Sequence, residues 1–490
     1  LNNVRNIGKN DYYFFFSSAL IFIALNIVGL WKEIPYLNAI PFIILFCVLI
    51  VRDYRLVFYF LLASLPISIE FFFGSLSLSA PSEPILILST GLWLILFINK
   101  RTNLYQHLNN LLIVLIILQL LLFTFNIFIS REPILSLKYL LAKIWFFGGF
   151  IFLPLLFLKE EKQFKIAFWS FFTPLMLTVF YTIFNHAKTG FSFEEVNQSA
   201  RPFYANHVIY ACTLGLALPF SVAALGWYKE NRLLKLILIS MIIVLVFAII
   251  TSYTRTTWLS VFAAIASVLV FKSKFLKLAF VVASVGVVFF CYQLVDQNNY
   301  MKYAPNYSNT VFNREDFGKH MAATVELSDV SGMERVYRWV AAINLIQHNF
   351  WFGTGNNTFY PTYKEYANPA FITYLSDNPE RSSTHNYFLL IFCDQGVFGF
   401  ILFLALCIVA MLKTKTIYTL SNSTFIKNLM LTCFATMVIF LVHLVLGDMV
   451  EVDKNGGIFL IIIAIIVGAE YKVRNQQKQN ELNSSDQMHL

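Results

Sequence analysis

Six side chains in this 490-residue chain are of the type and placement that bind an anion or move a proton: Lys143, Arg201, Arg255, Arg335, Arg338 and His385. Arg255 lies in Ser252-Tyr-Thr-Arg-Thr-Thr-Trp258, between two apolar runs with almost no loop to spare. An arginine so close to hydrocarbon is costly unless it snorkels to the interface or meets an anion. Lys143 stands about two turns inside an apolar run and needs a carboxylate, a carbonyl or a ligand, whereas Lys138 can reach the surface. In Gly332-Met-Glu-Arg-Val-Tyr-Arg-Trp339, Glu334 and Arg338 are four apart and can pair on a solvated helix face. Arg335 has no such local partner, which makes it the better anion ligand. His385, in Ser383-Thr-His-Asn386, can take a proton near neutral pH and is a candidate general base. His207 and His443 read as capping or helix-packing residues.

Fork-shaped guanidinium groups suit phosphate oxygens. An anionic, lipid-linked substrate would use them, and a pyrophosphate would leave without help from an acid. What remains is to deprotonate an attacking hydroxyl, a task for one histidine. Metal-assisted chemistry would need clustered carboxylates. Glu451-Val-Asp453, just after Asp448, is the nearest approach to one, but carboxylates beside a helix end are commoner as solvated charges. The expected set is therefore His385, Arg335 and Arg255 as catalytic residues, with Lys143, Arg338, Arg201 and Asn386 binding substrate, and neither metal nor cofactor.

The elements that must position these residues are membrane helices. Hydrophobic residues make up 58% of the chain and charged residues 13%, with a mean hydropathy of +0.66, whereas soluble domains carry about 25% charge. Fourteen runs are candidates to cross a hydrocarbon layer of ~30 Å. They lie near 12–31, 36–51, 55–73, 83–98, 109–129, 137–158, 164–185, 206–227, 233–251, 257–271, 275–293, 386–411, 427–447 and 456–471. With the N-terminus inside, 21 Lys and Arg fall in inner connections and six (Lys32, Arg131, Lys188, Arg201, Arg255, Lys454) in short outer ones. That asymmetry puts both termini in the cytoplasm. It also accounts for most of the +9 net charge, so nucleic acid is not an expected partner. The first run reads as a retained helix, not a signal peptide. All six cysteines lie in or at the edge of apolar runs, with no disulfide framework and no CxxC pair.

The chain divides into membrane helices 1–11 (1–293), a large outer loop (294–385), helices 12–14 (386–474) and a polar tail (475–490) expected to be disordered. The loop is far longer than ordinary helix connections. Val336, Trp339, Val340, Ile343 and Ile346 recur at helical spacing within it, predicting an amphipathic helix over the outer mouth.

At His385 the pattern becomes specific. His385-Asn386, nine residues, then Gly396-Val-Phe-Gly399 is similar to a motif of the O-antigen ligase family, within the wider ligase and polymerase superfamily. Thr254-Arg-Thr-Thr-Trp258, Glu334-Arg335 with Trp339, and Phe352-Gly-Thr-Gly355-Asn356 resemble three further elements of that family, so the likeness spans roughly 200–450. Asn349-Phe-Trp-Phe352 departs from it where the family commonly has proline, and fourteen runs exceed the family's twelve. The resemblance implies an all-α polytopic membrane protein with about 12–14 transmembrane helices, a partly helical periplasmic loop and a GT-C-like fold. It implies a metal-independent inverting glycosyltransferase of the bacterial inner membrane. The donor would be an undecaprenyl-pyrophosphate glycan and the acceptor a lipid A core sugar, joined on the periplasmic face. On that resemblance His385 is the base, while Arg255 and Arg335 hold the pyrophosphate.

An O-antigen polymerase or a protein O-oligosaccharyltransferase would use the same site with another acceptor. A flippase or other transporter would share the composition, but no internal repeat is visible and the basic helix in the outer loop favours an enzyme.

Overall fold

The computed structural model describes residues 48–73, 76–99, 104–273, 330–371 and 383–488, with scattered single positions besides. The runs expected near 12–31, 36–51 and 275–293, and the first part of the large loop, lie outside the described residues.

The chain is a multi-pass, all-α membrane protein. The described helices are α1 (Leu56–Ile67), α2 (Ser82–Ile98), α3 (Leu111–Ile129), α4 (Pro133–Phe157) and α5 (Glu161–Lys188). They continue with α6 (His207–Ala224), α7 (Arg232–Thr251), α8 (Arg255–Lys272), α9 (Val330–His348), α10 (Tyr387–Leu420), α11 (Thr424–Val445) and α12 (Asp453–Met488). Nine of them, α3 to α8 and α10 to α12, are long and apolar enough to span a bilayer. Several open on side chains that satisfy the first free N–H groups: Asn110, Asn206, Asn231, Asn386 and Ser423 each accept a bond from a backbone N–H of the turn they begin. Such caps matter where no water is at hand for the orphan donors.

The run expected near 55–73 is not one span. Its helix stops at Ile67, and Ile69–Phe73 pairs antiparallel with Leu76–Ala80, Ile69 opposite Ala80. Ser68 at the break bonds back to the Ser64 carbonyl and accepts from the Ser82 N–H, and the Ile- and Phe-rich stretch beyond it suits a pleated strand.

The α6 helix is central, packing on α7, α8, α11 and α12. Phe172, Leu175 and Val179 of α5 close one core with Tyr210 and Leu214 of α6 and Leu238 and Leu245 of α7. The turns and contacts sort to two ends of the bundle. Residues 190–207, 252–254, 354–366, 383–386 and 446–454 lie at one end with Ser130 and Arg131. Asn110, Lys413 and Arg474 gather around Glu470 at the other.

The largest departure from a simple bundle is α10. At Gly396 the backbone takes φ 67°, ψ −166°, and the helix turns back on itself. Residues 387 and 403 of a straight helix would be ~24 Å apart along the axis. Here the Tyr387 and Phe403 rings are 4.9 Å apart, and Phe392 stacks on Phe400 at 5.2 Å. A short re-entrant arm, 387–395, therefore runs beside the first turns of the spanning arm, 397–420. The carbonyls released at the end of the short arm are met by the segment after α9: Thr354 N–H donates to Cys393 O at 2.9 Å and Gly355 N–H to Asp394 O at 3.0 Å. In return Val397 N–H donates to Phe350 O at 2.8 Å. The two backbones cross so closely that a Cβ on Gly396 would sit 2.2 Å from Trp351 O, and one on Gly353 2.4 Å from Asp394 C. The two glycine motifs are thus the two halves of one crossing.

Two expectations change. Residues 475–488, expected to be disordered, continue α12 as helix. The amphipathic helix in the large loop is present as α9, but its most buried residues are Glu334, Tyr337, Arg338, Val340, Ala341, Ala342 and Leu345, a stripe turned away from the expected one. A buried Glu334–Arg338 pair supplies part of that face, and hydrophobic spacing cannot register it.

Gly396→Ala is expected to lower the thermal midpoint of the detergent-solubilised protein by several degrees, since left-handed backbone alone costs ~1–3 kcal/mol before the clash is counted. Gly91→Ala in α2, where an added Cβ meets nothing within 4 Å, should instead raise it slightly. Size-exclusion melting curves of the two variants make the comparison.

Candidate functional site

His385 lies in the turn that begins the re-entrant arm. Its φ is 52°, a left-handed conformation that few non-glycine residues adopt. Neighbours hold it there. The Thr384 hydroxyl donates to Asn386 O at 2.7 Å and accepts from Asn386 N–H at 3.1 Å, and Asn386 Oδ1 caps the arm by accepting from Leu389 N–H at 3.1 Å. The α9 helix is laid over the same turn. Its Trp339 indole donates to Thr384 O at 3.0 Å, and Arg338 Nη1 donates to Ser383 O at 3.3 Å.

Docking α9 in this way brings Arg335 and Arg338 beside His385. Burial, with the Arg338 and Arg335 guanidiniums acting in the same direction, pushes the imidazole down to about 3. Arg338 is 5% exposed and pairs with Glu334 at 3.5 Å, while Glu334 also accepts from the Ser376 hydroxyl at 2.8 Å. The solvated Glu334–Arg338 pair expected from spacing is thus a buried one. Arg338 Nε is buried with no hydrogen-bond partner among the described residues.

Beyond Ser383 lies a second layer that sequence reasoning passed over. The Ser383 hydroxyl bonds to Asp448, in the turn between α11 and α12. Burial, partly offset by the Ser383 bond and reinforced by Glu451 against Arg338, raises Asp448 to about 6. Its second oxygen, Oδ1, is buried without a partner among the described residues. Among the described residues, a donor on Arg338 and an acceptor on Asp448 are thus both left unsatisfied, each on a residue that bonds to Ser383.

Lys143 proves to have its carboxylate. Its ammonium lies 2.9 Å from Glu451 Oε2 and over the Tyr139 ring at 4.9 Å, and Tyr139 donates to Glu451 Oε1 at 3.1 Å. The distance from Pro133 to Lys143 along α4 is ten residues, or ~15 Å, so this pair sits well below the helix end. Glu451 and Asp453 do not converge, because Asp453 accepts instead from the Ser82 hydroxyl at 2.6 Å. The neighbouring Lys454, counted as a loop charge, is 6% exposed and donates to the carbonyls of Pro66, Ser68 and Phe203.

Arg255 opens α8 after a hairpin in which Tyr253 has φ 53° and the Trp258 indole donates back to Ile249 O at 2.9 Å. Arg201 is exposed, in the loop that Lys454 holds through Phe203. The structure thus groups His385, Arg335 and Arg338 directly, joins Lys143 through Glu451 and Asp448, and leaves Arg255 and Arg201 at the same end of the bundle.

A family model described as O-antigen ligase matches residues 240–404. That region is therefore similar to the O-antigen ligase family, in agreement with the motifs around His385. The match takes in Arg255, Arg335, Arg338, His385, Asn386 and the Gly396 crossing, while Lys143, Arg201, Asp448 and Glu451 lie outside it. No curated protein matches the chain. The match supports a membrane enzyme of the general O-antigen ligase and polymerase type.

Two outcomes test the electrostatics. Removing a neighbouring positive charge favours imidazolium, so Arg335→Gln should raise the His385 pKa by on the order of one pH unit while burial keeps it below the ordinary 6.5. The pH dependence of diethyl pyrocarbonate modification at His385 measures this. Lys143→Met should destabilise the protein by on the order of 2–3 kcal/mol, allowing for the partial exposure of Glu451, and Lys143→Met with Glu451→Gln should recover most of it. Thermal midpoints of the single and double variants decide whether the two residues act as a pair.

Proposed function

We propose that this protein is an O-antigen ligase. It transfers a glycan from undecaprenyl pyrophosphate to a hydroxyl of a lipid A core sugar at the periplasmic face of the inner membrane. Both termini are cytoplasmic, which follows from the distribution of Lys and Arg. The observation that carries the reading is the trio of Arg335, Arg338 and His385 within the matched region, bordered by a guanidinium N–H and a carboxylate oxygen that have no hydrogen-bond partners among the described residues.

In this reading the donor pyrophosphate lies against Arg335 and Arg338, and the unsatisfied Nε of Arg338 gains an oxygen acceptor. Arg255, and at greater remove Arg201, extend the positive field at the same end of the bundle. Lys143 acts through Glu451, holding the floor of the site rather than touching the donor. The acceptor hydroxyl gives its proton to the neutral imidazole of His385 as its oxygen attacks the anomeric carbon. The bond from that carbon to the pyrophosphate oxygen breaks, undecaprenyl pyrophosphate departs, and attack opposite the leaving group inverts the centre. The arginines stabilise the charge growing on the leaving oxygen, and no divalent cation is required for that task. Asp448, through its unpartnered oxygen, is placed to hold the acceptor hydroxyl. The strongly lowered His385 pKa describes the site without its anion. A pyrophosphate neutralising two guanidiniums raises it and makes the base stronger when the donor is in place.

His385→Ala is expected to cut transfer at least ~100-fold with donor binding retained, the scale of a lost general base, and Arg335→Gln to weaken donor binding. The assay is reconstitution in liposomes with an undecaprenyl-pyrophosphate glycan, offering in turn lipid A core, a second lipid-linked glycan and a Ser/Thr peptide. Product on the core alone supports the ligase. Product only on one of the others assigns the same site to a polymerase or a protein glycosyltransferase, and normal turnover by His385→Ala removes His385 as the base.

A further inference from the structure

The segment 349–352, Asn-Phe-Trp-Phe, plays no part in the chemistry above, yet its side chains are unusually displayed. Phe350, Trp351 and Phe352 are 43%, 62% and 41% exposed, although they lie within a loop that hydropathy assigns to water. They are not loose. Gly353 N–H bonds to Asn349 O at 3.0 Å, Phe350 O accepts from Val397, and the tight crossing at Gly353 and Gly396 fixes the backbone on both sides. A rigid backbone is thus holding three large apolar side chains outward.

What they join indicates what covers them. Phe352 packs between Phe125 of α3 at 5.2 Å and Phe398 of α10 at 5.3 Å, and Trp351 also faces Phe398. On α3, Leu118, Leu121, Phe125 and Phe128 are all exposed, and their spacing of three, four and three residues makes one continuous helical face. On α10, Phe398 and Ile401 are likewise exposed. Both helices are membrane spans, so these faces are turned to lipid. Phe125 lies four residues from the end of α3, so Phe350–Phe352 prolongs a lipid-facing surface at the level where the span ends, the depth at which Trp and Phe rings are favoured. From Asn349 to Tyr363 the chain carries no charged residue that would resist insertion.

We propose that Phe350, Trp351 and Phe352 form a bilayer anchor, seated among the hydrocarbon chains of the leaflet at the His385 end of the molecule. The anchor follows α9 directly and stands ~20 Å along that helix from Arg335. It tethers to the membrane the far end of the helix that carries the two arginines, so α9 is held by lipid at one end and by the Ser383–Thr384 turn at the other. This placement does not depend on which reaction the protein catalyses.

The test reads lipid contact rather than activity. The protein and its Trp351→Phe variant are reconstituted in phosphatidylcholine vesicles, and the fluorescence difference between them isolates Trp351 from the other seven tryptophans. Lipid brominated near the top of the acyl chain should quench that difference signal at least twofold, while aqueous iodide leaves it nearly unchanged. Quenching by iodide without quenching by brominated lipid would place the segment in water and overturn the proposal. Insensitivity to both quenchers, with the Trp351→Cys variant cross-linking between two copies, would assign the patch to a protein interface and also overturn it. Preserved solubility and melting behaviour of Trp351→Phe confirm that the comparison is between folded proteins.

Discussion

A peptide chain that reverses direction inside a membrane protein exposes backbone groups that lipid cannot satisfy, and the fold of this protein is organised around meeting that demand at Gly396. The end of the re-entrant arm and the start of the spanning arm leave carbonyls and an N–H without helical partners. Residues 350–355 supply them, while the carboxylate of Asp394 accepts from the N–H groups of Asn357, Thr358 and Phe359. These bonds run in both directions across one crossing, so neither segment can shift without stranding polar groups of the other. Only glycine admits the approach at Gly353 and Gly396. The Gly-x-Gly turn and the Gly-x-x-Gly run, far apart in sequence, thus answer a single steric constraint.

The position of the histidine follows from that reversal. Because residues 387–395 fold back, the start of α10 is brought to the level of Phe403 instead of projecting beyond the bundle. There it meets the turn carrying Asp448 and Glu451, and α9 closes over it through Trp339 and Arg338. Three segments that share no local sequence signal are joined by hydrogen bonds to Ser383 and Thr384. The left-handed backbone at His385 is sustained by those bonds, and it is the kind of local strain that a surrounding structure must over-determine.

Charges were legible in the sequence because the spans carry so few: Lys143, Arg335, Arg338 and His385 stood out by type and depth alone. Their partners were not. Glu451 is remote in sequence from Lys143, and no spacing rule links them. Lys454 counted as one more loop charge because its three carbonyl partners come from two distant turns. The helix in the large loop was legible from its period, but its buried face was misjudged, since the Glu334–Arg338 pair occupies positions that hydrophobic spacing assigns to water. The re-entrant arm was hidden for a different reason. Residues 386–411 are uniformly apolar, and nothing in composition separates one long span from two arms meeting at a glycine.

The arrangement also bears on how the proposed reaction would be ordered. Burial first, and the Arg338 and Arg335 charges after it, hold the His385 imidazole well below its ordinary range. In the proposed reaction an anion placed against the guanidiniums would offset their smaller share of that depression, and the imidazole would become more basic with the donor bound. The same anion would sit beside Asp448, whose ionised form it disfavours. A carboxyl group already raised to about 6 then tends to keep its proton and can donate a hydrogen bond as well as accept one. On the proposed reading the cationic pair would couple donor binding to the protonation of both neighbours.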